Sequence, residues 1–185
     1  MAENQEKKFN AGRLRSMSKI VDALLELIQE SSYQSVTVTD ICTRARVARK
    51  TFYRSFESKE AVISYRLAGM FNELSAMFDF VEAEARELLT YCFDYLDKNR
   101  LFASAFTDDG LYSFLSEKMM EYVRIAYDYT LHNSASFEPV YAEYYYKCTA
   151  VGFISIIRTW VKSGYKLSTP LLVSLTRRLL SGVLA

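Results

Sequence analysis

The chain has 185 residues, half of them hydrophobic, with only six glycines and two prolines, a composition that favours a mostly helical protein with a substantial core. Its net charge of +1 excludes a chain that is basic throughout, so any charge that binds nucleic acid must be concentrated in one part. The most apolar stretch, residues 150–157, ends at Arg158, far short of the roughly 20 residues that cross a bilayer.

The three cysteines are odd in number and lie far apart within apolar segments, and no basic start leads into an apolar run. A disulfide framework or a zinc site would need paired or closely spaced cysteines. The sequence therefore predicts buried, reduced thiols in a cytoplasmic protein that is neither exported nor held in a membrane.

Residues 1–12 are polar and lack periodicity, which predicts a flexible arm. Apolar residues then recur at helical spacing and predict a first helix that ends near Ser31: Met17, Ile20, Val21, Leu24 and Ile28. This helix is expected to brace the segment that follows it.

Two short helices joined by a tight turn are predicted next. Thr37 and Asp40 have the spacing of a capping box, which satisfies free amides where a helix begins. The segment 45–48 interrupts the apolar pattern, and Phe52 and Phe56 resume it four residues apart. The pattern is typical of a helix-turn-helix, whose second helix lies in the major groove of DNA.

Positive charge is concentrated on and around the second of these helices. Residues 44–59 hold six basic residues and one acidic residue, a net charge of +5, whereas residues 61–185 carry −2. A charge run alone more often marks a solvated helix face, but here the capping box and the turn coincide with it. The outward residues are expected to reach base edges or phosphates: Arg49, Lys50, Thr51, Tyr53 and Arg54.

Tyr53, Phe56 and Lys59 form a Tyr-x-x-Phe-x-x-Lys pattern, and with Thr37 this segment resembles the tetracycline-repressor (TetR) family of bacterial regulators over residues 16–65. The family usually has Gly in the turn and Ser at the start of the recognition helix, where this chain has Arg46 and Ala48. Arg46 is therefore expected at positive φ. The predicted DNA-binding set is Thr37, Arg46, Arg49, Lys50, Thr51, Tyr53, Arg54 and Lys59.

Two members of this set have alternative roles. Tyr53 could be a core aromatic with a solvated hydroxyl, and Lys59 could simply lie on the first turn of the next helix.

The rest of the chain predicts further helices near 58–78, 81–98, 100–106, 111–131, 139–163 and 169–184. The predicted fold is all-α, with a three-helix helix-turn-helix domain over residues 13–60 and a helical effector-binding and dimerisation domain over residues 61–185.

The last two helices carry broad apolar faces. In TetR-like proteins the corresponding helices form a four-helix bundle across a two-fold axis, so the resemblance implies a homodimer. The predicted interface is Ile154, Ile157, Trp160, Val161, Leu171, Leu175 and Leu179. The alternative is that both faces are intramolecular core.

Fourteen tyrosines and twelve phenylalanines predict an aromatic-lined pocket for a small apolar or aromatic effector. The candidates are Tyr91, Tyr95, Phe102, Phe106, Met119, Tyr122, Tyr127, Tyr144 and Tyr145. An aromatic core whose hydroxyls reach water explains the same composition. A third alternative is a body that binds a protein partner or coactivator, as in some TetR-like regulators.

The sequence has no Gly-rich phosphate loop, no nucleophile elbow and no metal-ligand spacing, and it has a single histidine. No catalytic residue, metal or cofactor is predicted. The resemblance implies a repressor that binds a palindromic double-stranded DNA operator as a homodimer and is released by an effector bound in the C-terminal domain.

Overall fold

A computed structural model describes the backbone of residues 2–78, 84–131 and 139–181, and the side chains of residues 11–78, 84–125 and 141–179. Within these ranges the regular secondary structure is entirely helical, as the sequence predicted. The chain divides into two compact units, Met1–Ala68 and Gly69–Ala185. The division falls after Ala68 and not at the predicted residue 60, because the helix that follows the recognition helix belongs partly to each unit.

The N-terminal unit contains α1 (Ala2–Glu30), α2 (Val38–Ala45), α3 (Arg49–Ser55) and the beginning of α4 (Lys59–Met77). Helix α1 is longer than predicted, because residues 2–12 continue it and do not form an irregular arm. Alanine, glutamate, glutamine and lysine in this stretch are good helix formers, so a polar segment without apolar periodicity can still extend a helix.

The core of this unit lies where α1, α2 and α3 meet. Its most deeply buried side chains come from each helix in turn: Ile20 and Leu24 from α1, Ile41 from α2, Phe52 from α3 and Leu67 from α4. Burying such side chains is the main favourable contribution to the stability of the unit.

The C-terminal unit contains the end of α4 and then α5 (Ala85–Lys98), α6 (Arg100–Ser104), a 3₁₀ turn (Ala105–Thr107), α7 (Tyr112–Leu131), α8 (Pro139–Lys162) and α9 (Thr169–Ser181). Most of these bounds lie within four residues of the predicted ones. Helix α8 begins at Pro139 and Pro170 lies in the first turn of α9, positions where the missing proline amide costs no hydrogen bond.

Aromatic side chains form the centre of the C-terminal core. The ring of Phe93 on α5 lies 5.4 Å from that of Phe153 and 5.8 Å from that of Trp160, both on α8. The indole N–H of Trp160 donates to the Leu167 carbonyl at 2.9 Å, which ties the α8–α9 connection to this core. None of the helices in the described ranges is long and apolar enough to span a bilayer.

The cysteines differ in part from the prediction. Cys42 and Cys92 are buried and carry free thiols, whereas Cys148 is exposed on α8. Burial raises the pKa of the Cys92 thiol to about 12, so this thiol stays protonated at neutral pH.

Candidate nucleic-acid interface and effector cavity

A reciprocal capping box fixes the start of α2. The Thr37 hydroxyl accepts from the Asp40 amide at 3.2 Å, and the Asp40 carboxylate accepts from the Thr37 amide at 2.9 Å and from its hydroxyl at 2.6 Å. These bonds, the hydroxyl bond most of all, hold the pKa of Asp40 below its usual value. The predicted capping box is confirmed, and it orients the amide end of α2 toward one surface.

The turn between α2 and α3 contains the expected left-handed residue. Arg46 has φ 53° and ψ 47°, and its position lets the Val47 amide donate to the Cys42 carbonyl at 3.0 Å. The prediction of positive φ is confirmed. Ala48, at the N-cap of α3, supplies no side-chain hydrogen bond to the helix. The motif therefore forms without the Gly and Ser that usually stabilise this turn, and each replacement costs about 1 kcal/mol of stability.

The outer face of α3 exposes Arg49, Lys50, Tyr53 and Arg54, while Thr51 is half-buried. On the opposite side Phe52 is completely buried and holds the helix in the core. Arg49 donates to the Thr39 hydroxyl at 3.2 Å, and its guanidinium carbon lies 5.9 Å from the centre of the Tyr53 ring. Four of the five residues of α3 that were predicted to contact DNA thus share one exposed surface, on which Arg49 lies close to the Tyr53 ring.

Arg44 belongs to the basic cluster of the sequence but is paired within the unit. Its guanidinium donates to the Glu30 carboxylate at 2.9 and 2.6 Å and to Glu26 at 3.2 Å. The hydrogen bond from Arg44 lowers the pKa of Glu30. Glu26 and Glu30 lie one turn apart on α1, and no sequence spacing links them to Arg44 on α2. Arg44 therefore fastens α2 to α1 and adds little net charge to the surface.

Lys59 has a different position from the one expected for a DNA contact. Its ammonium donates to the backbone carbonyls of Tyr33, Gln34 and Val36 at 2.8, 3.4 and 2.9 Å, and it lies 4.3 Å from the centre of the Tyr33 ring. An ammonium has three protons, and three carbonyls accept them. Lys59 thus holds the loop between α1 and α2, and we do not retain it in the DNA-contacting set.

The next residue strengthens the same connection. The Tyr33 hydroxyl donates to the Glu60 carboxylate at 2.7 Å. Partial burial opposes ionisation of Glu60, but hydrogen bonds from Tyr33 and its own backbone outweigh it and leave the pKa of Glu60 lowered. The first turn of α4 is thereby attached to the loop at two consecutive residues.

Within the C-terminal unit, a cavity of about 260 Å³ lies among α4, α5, α7 and α8. Its lining is mostly apolar, and the rings of Phe71 and Tyr122 stack at one wall with centroids 3.7 Å apart and planes 9° from parallel. The described lining residues are Phe71, Asn72, Leu74, Ser75, Leu88, Leu89, Cys92, Met119, Tyr122, Val123, Ile125, Thr149 and Phe153.

The structure does not bring the predicted effector residues together in one pocket. Met119 and Tyr122 line the 260 Å³ cavity, whereas Tyr91 and Tyr95 line a separate cleft of about 830 Å³ beside acidic side chains. The remaining described candidates line neither space: Phe102 and Phe106 are buried core, Tyr144 is 71% exposed, and Tyr145 is half-buried. The side chain of Tyr127 lies outside the described residues.

The two helices of the predicted dimer interface, α8 and α9, differ in the burial of their apolar residues. Ile154, Ile157 and Trp160 are buried inside the unit, where the Trp160 ring packs on Phe93 of α5, so they lie in the intramolecular core that was the alternative to a dimer interface. Val161 is half-buried. On α9, by contrast, three leucines one turn apart form an exposed row: Leu171, Leu175 and Leu179.

Comparisons with known proteins agree with this architecture. Residues 20–65 match the family described as bacterial regulatory proteins of the tetR family, and residues 83–182 match the family described as the transcriptional regulator C-terminal region. The chain is 32% identical over 83 residues to the dhaKLM operon transcriptional activator DhaS of Lactococcus lactis subsp. lactis (strain IL1403). That match covers 45% of this chain and 44% of DhaS, less than half of each.

Solved structures show the same fold over most of the chain. One, described as the dihydroxyacetone kinase operon activator DhaS, has a TM-score of 0.58 at 22% identity and covers 90% of this chain and 94% of its own. Another, FadR of Bacillus subtilis in complex with stearoyl-CoA, has a TM-score of 0.59 at 23% identity and covers 89% and 95%. The helix-turn-helix geometry and the two family matches together show that the chain belongs to the TetR family of bacterial transcription regulators.

Proposed function

We propose that the protein binds a near-palindromic operator as a homodimer and represses transcription until an effector occupies the C-terminal unit. The exposed basic face of α3 carries this proposal, because it presents Arg49, Lys50 and Arg54 beside Tyr53 at the tip of a helix-turn-helix. Arginine and lysine recognise phosphates and guanine edges, and tyrosine donates to phosphates. Thr37 and Arg46 are exposed at the two ends of α2 and would contact the DNA backbone of the same half-site.

Charge reversal tests the DNA interface. Lys50→Glu should abolish operator binding, because it removes a cation and places an anion against phosphates. Lys166→Glu, at an exposed position of the C-terminal unit, is the matched control with the same change in net charge. Footprinting of genomic fragments at low salt measures both variants. Equal protection by the Lys50 variant and the parent protein would contradict the proposed interface.

Dimerisation follows from the leucine row on α9. Leu171, Leu175 and Leu179 are 60%, 42% and 55% exposed and lie on one helical stripe, as the family's two-fold bundle requires. A dimer also supplies two recognition helices for two successive major grooves. Leu175→Lys should therefore give folded monomers, whereas Ser174→Lys, one exposed residue away, should leave the dimer intact. Sedimentation equilibrium distinguishes these outcomes.

The direction of regulation is tested separately. A promoter–reporter assay should show lower expression when the protein is present, and expression should return when the effector is added. Higher expression in the presence of the protein would instead assign it the activating role that the name of its relative DhaS describes.

The effector is proposed to occupy the 260 Å³ cavity. Helix α4 supplies four of its lining residues, and the first turn of the same helix carries Lys59 and Glu60, which bind the loop between α1 and α2. A ligand changes DNA affinity only if it binds the two states of the protein with different affinities. A helix that is shared by the effector site and the DNA-binding unit gives the ligand a continuous element on which to act.

A further inference from the structure

The lining of the 260 Å³ cavity is chemically selective. Leu74, Cys92, Met119 and Phe153 of its lining are buried, and Ile125 is exposed. We propose that this cavity takes a neutral, mostly apolar molecule of about ten non-hydrogen atoms that offers one hydrogen-bond acceptor. This inference rests on the proposed function and names the class of effector.

Charge is the first argument. None of the described residues that line the cavity is acidic or basic. An ionised carboxylate or ammonium that enters such a site loses its hydration without gaining an opposite charge, which weakens its binding. A neutral molecule does not bear that penalty. The cavity should therefore discriminate against ions of the same size and shape.

Volume is the second argument. An apolar protein cavity of about 150 Å³ accommodates benzene, which by proportion suggests about ten non-hydrogen atoms for 260 Å³. Phe71 and Tyr122 stack on each other within this lining and supply aromatic surface for a ligand ring to contact. A monocyclic aromatic or cycloaliphatic compound fits the volume and the apolar lining.

The polar groups of the lining set the last requirement. Tyr122 is half-buried, and burial first, with the neighbouring Glu121 second, raises the pKa of its hydroxyl, so the group remains a donor at neutral pH. Asn72 and Thr149 add neutral polar groups to the lining, whereas the Ser75 hydroxyl already donates to the Phe71 carbonyl at 2.8 Å. A ligand with a hydroxyl, carbonyl or ether oxygen gives these donors a partner.

Three probes of nearly equal size test the charge requirement: 2-phenylethanol, phenylacetate and 2-phenylethylammonium. Isothermal titration of the full-length protein should show at least tenfold weaker binding of both ions than of the neutral alcohol. Equal or tighter binding of either ion would overturn the proposed class. Failure of all three to bind at their solubility limits would overturn it as well.

Two variants test the location. Thr149→Phe fills the cavity from α8 and should abolish 2-phenylethanol binding, while Thr159→Phe, an exposed threonine on the same helix that does not line the cavity, should bind as the parent does. Tyr122→Phe keeps the stacked ring and should weaken binding about threefold to tenfold through the lost donor. Circular dichroism confirms that each variant is folded. Parent-like binding by the Thr149 variant would refute the location.

Operator binding, measured in the same samples, separates this inference from the proposed function. If 2-phenylethanol binds in the cavity but leaves operator affinity unchanged, the ligand class stands and the proposed effector switch is wrong. If an ion binds and releases the operator, the switch stands and the ligand class is wrong.

Discussion

Polar side chains fix the ends of helices in the N-terminal unit, whereas aromatic side chains hold the helices of the C-terminal unit together. In the former, Thr37 and Asp40 cap α2, and the ammonium of Lys59 gathers three loop carbonyls. In the latter, Phe93 lies at the centre of a ring cluster with Phe153 and Trp160. Directional bonds fix the geometry of the helix-turn-helix, and non-directional packing leaves room for a cavity beside the aromatic core.

The largest expected effect is a loss of stability that is confined to the N-terminal unit. Phe52→Ala should lower the free energy of unfolding of the N-terminal unit by about 3 to 5 kcal/mol, because Phe52 is completely buried. Trp160, the single tryptophan, lies in the C-terminal unit and reports on that unit alone. In a denaturant titration of this variant, far-UV circular dichroism should therefore show a transition at low denaturant concentration that tryptophan fluorescence does not show.

The exposed neighbour Tyr53→Ala is the control for this variant and should change stability by no more than about 0.5 kcal/mol. Coincident transitions by both probes in the Phe52 variant would mean that the units unfold as one, and the comparison between them would lose its basis.

Lys59→Met comes next in size. Methionine is one atom shorter than lysine and keeps an unbranched apolar side chain with a similar helix propensity, but it leaves three carbonyls without the ammonium, at a cost of about 2 kcal/mol. The salt dependence of DNA binding distinguishes this role from a phosphate contact. The slope of log affinity against log salt concentration is negative. Its magnitude should be unchanged by Lys59→Met but should fall by about 0.9 for Lys50→Gln, which loses one phosphate contact. Equal changes in both variants would restore Lys59 to the DNA-contacting set.

A smaller effect should depend on pH. Hydrogen bonds lower the pKa of Glu60 in the folded state despite its partial burial, so its ionisation stabilises the protein above the unfolded pKa of about 4.5. That stability is lost as pH falls through the lower folded pKa. The stability difference between the parent and Glu60→Gln should therefore shrink as the pH falls below about 4.5. Urea titrations measure it, with the exposed Glu57→Gln as a control that should not reproduce the trend.

The smallest effect should be a gain. Arg46→Gly should leave stability unchanged or raise it by roughly 0.5 to 1 kcal/mol, because glycine adopts positive φ without strain. Arg46→Ala removes the same side chain but keeps the Cβ, so it should give no comparable gain. A clear loss of stability in the glycine variant would show that the Arg46 side chain contributes more than the turn costs.

Local rules predicted the helix-turn-helix well. The Thr37–Asp40 spacing and the interruption at residues 45–48 depend on residues close in sequence, and the structure contains both the capping box and the left-handed Arg46. The partners of Lys59 could not be predicted in this way, because they are backbone carbonyls that every sequence possesses. Only the path of the loop brings them together.

Burial in the C-terminal unit was harder to predict. The α8 and α9 stripes have similar apolar composition, yet Ile154 and Ile157 are core while Leu171 and Leu175 are exposed. Periodicity identifies an apolar face but not the element that covers it. Met119 and Tyr122 were predicted, but the other cavity residues were missed for the same reason, since residues such as Leu88 and Thr149 come from different helices and share no sequence pattern.

The attachment at Lys59 also has a consequence for how the protein is made. The loop between α1 and α2 contains no glycine or proline, and its carbonyls are held by a side chain 23 to 26 positions downstream. On the ribosome, all the residues of the helix-turn-helix emerge before Lys59 does. The motif is complete in sequence at Phe56, but the carbonyls of the loop before it gain the Lys59 ammonium only when the first turn of α4 is present, so a chain that stops short of Lys59 lacks this attachment.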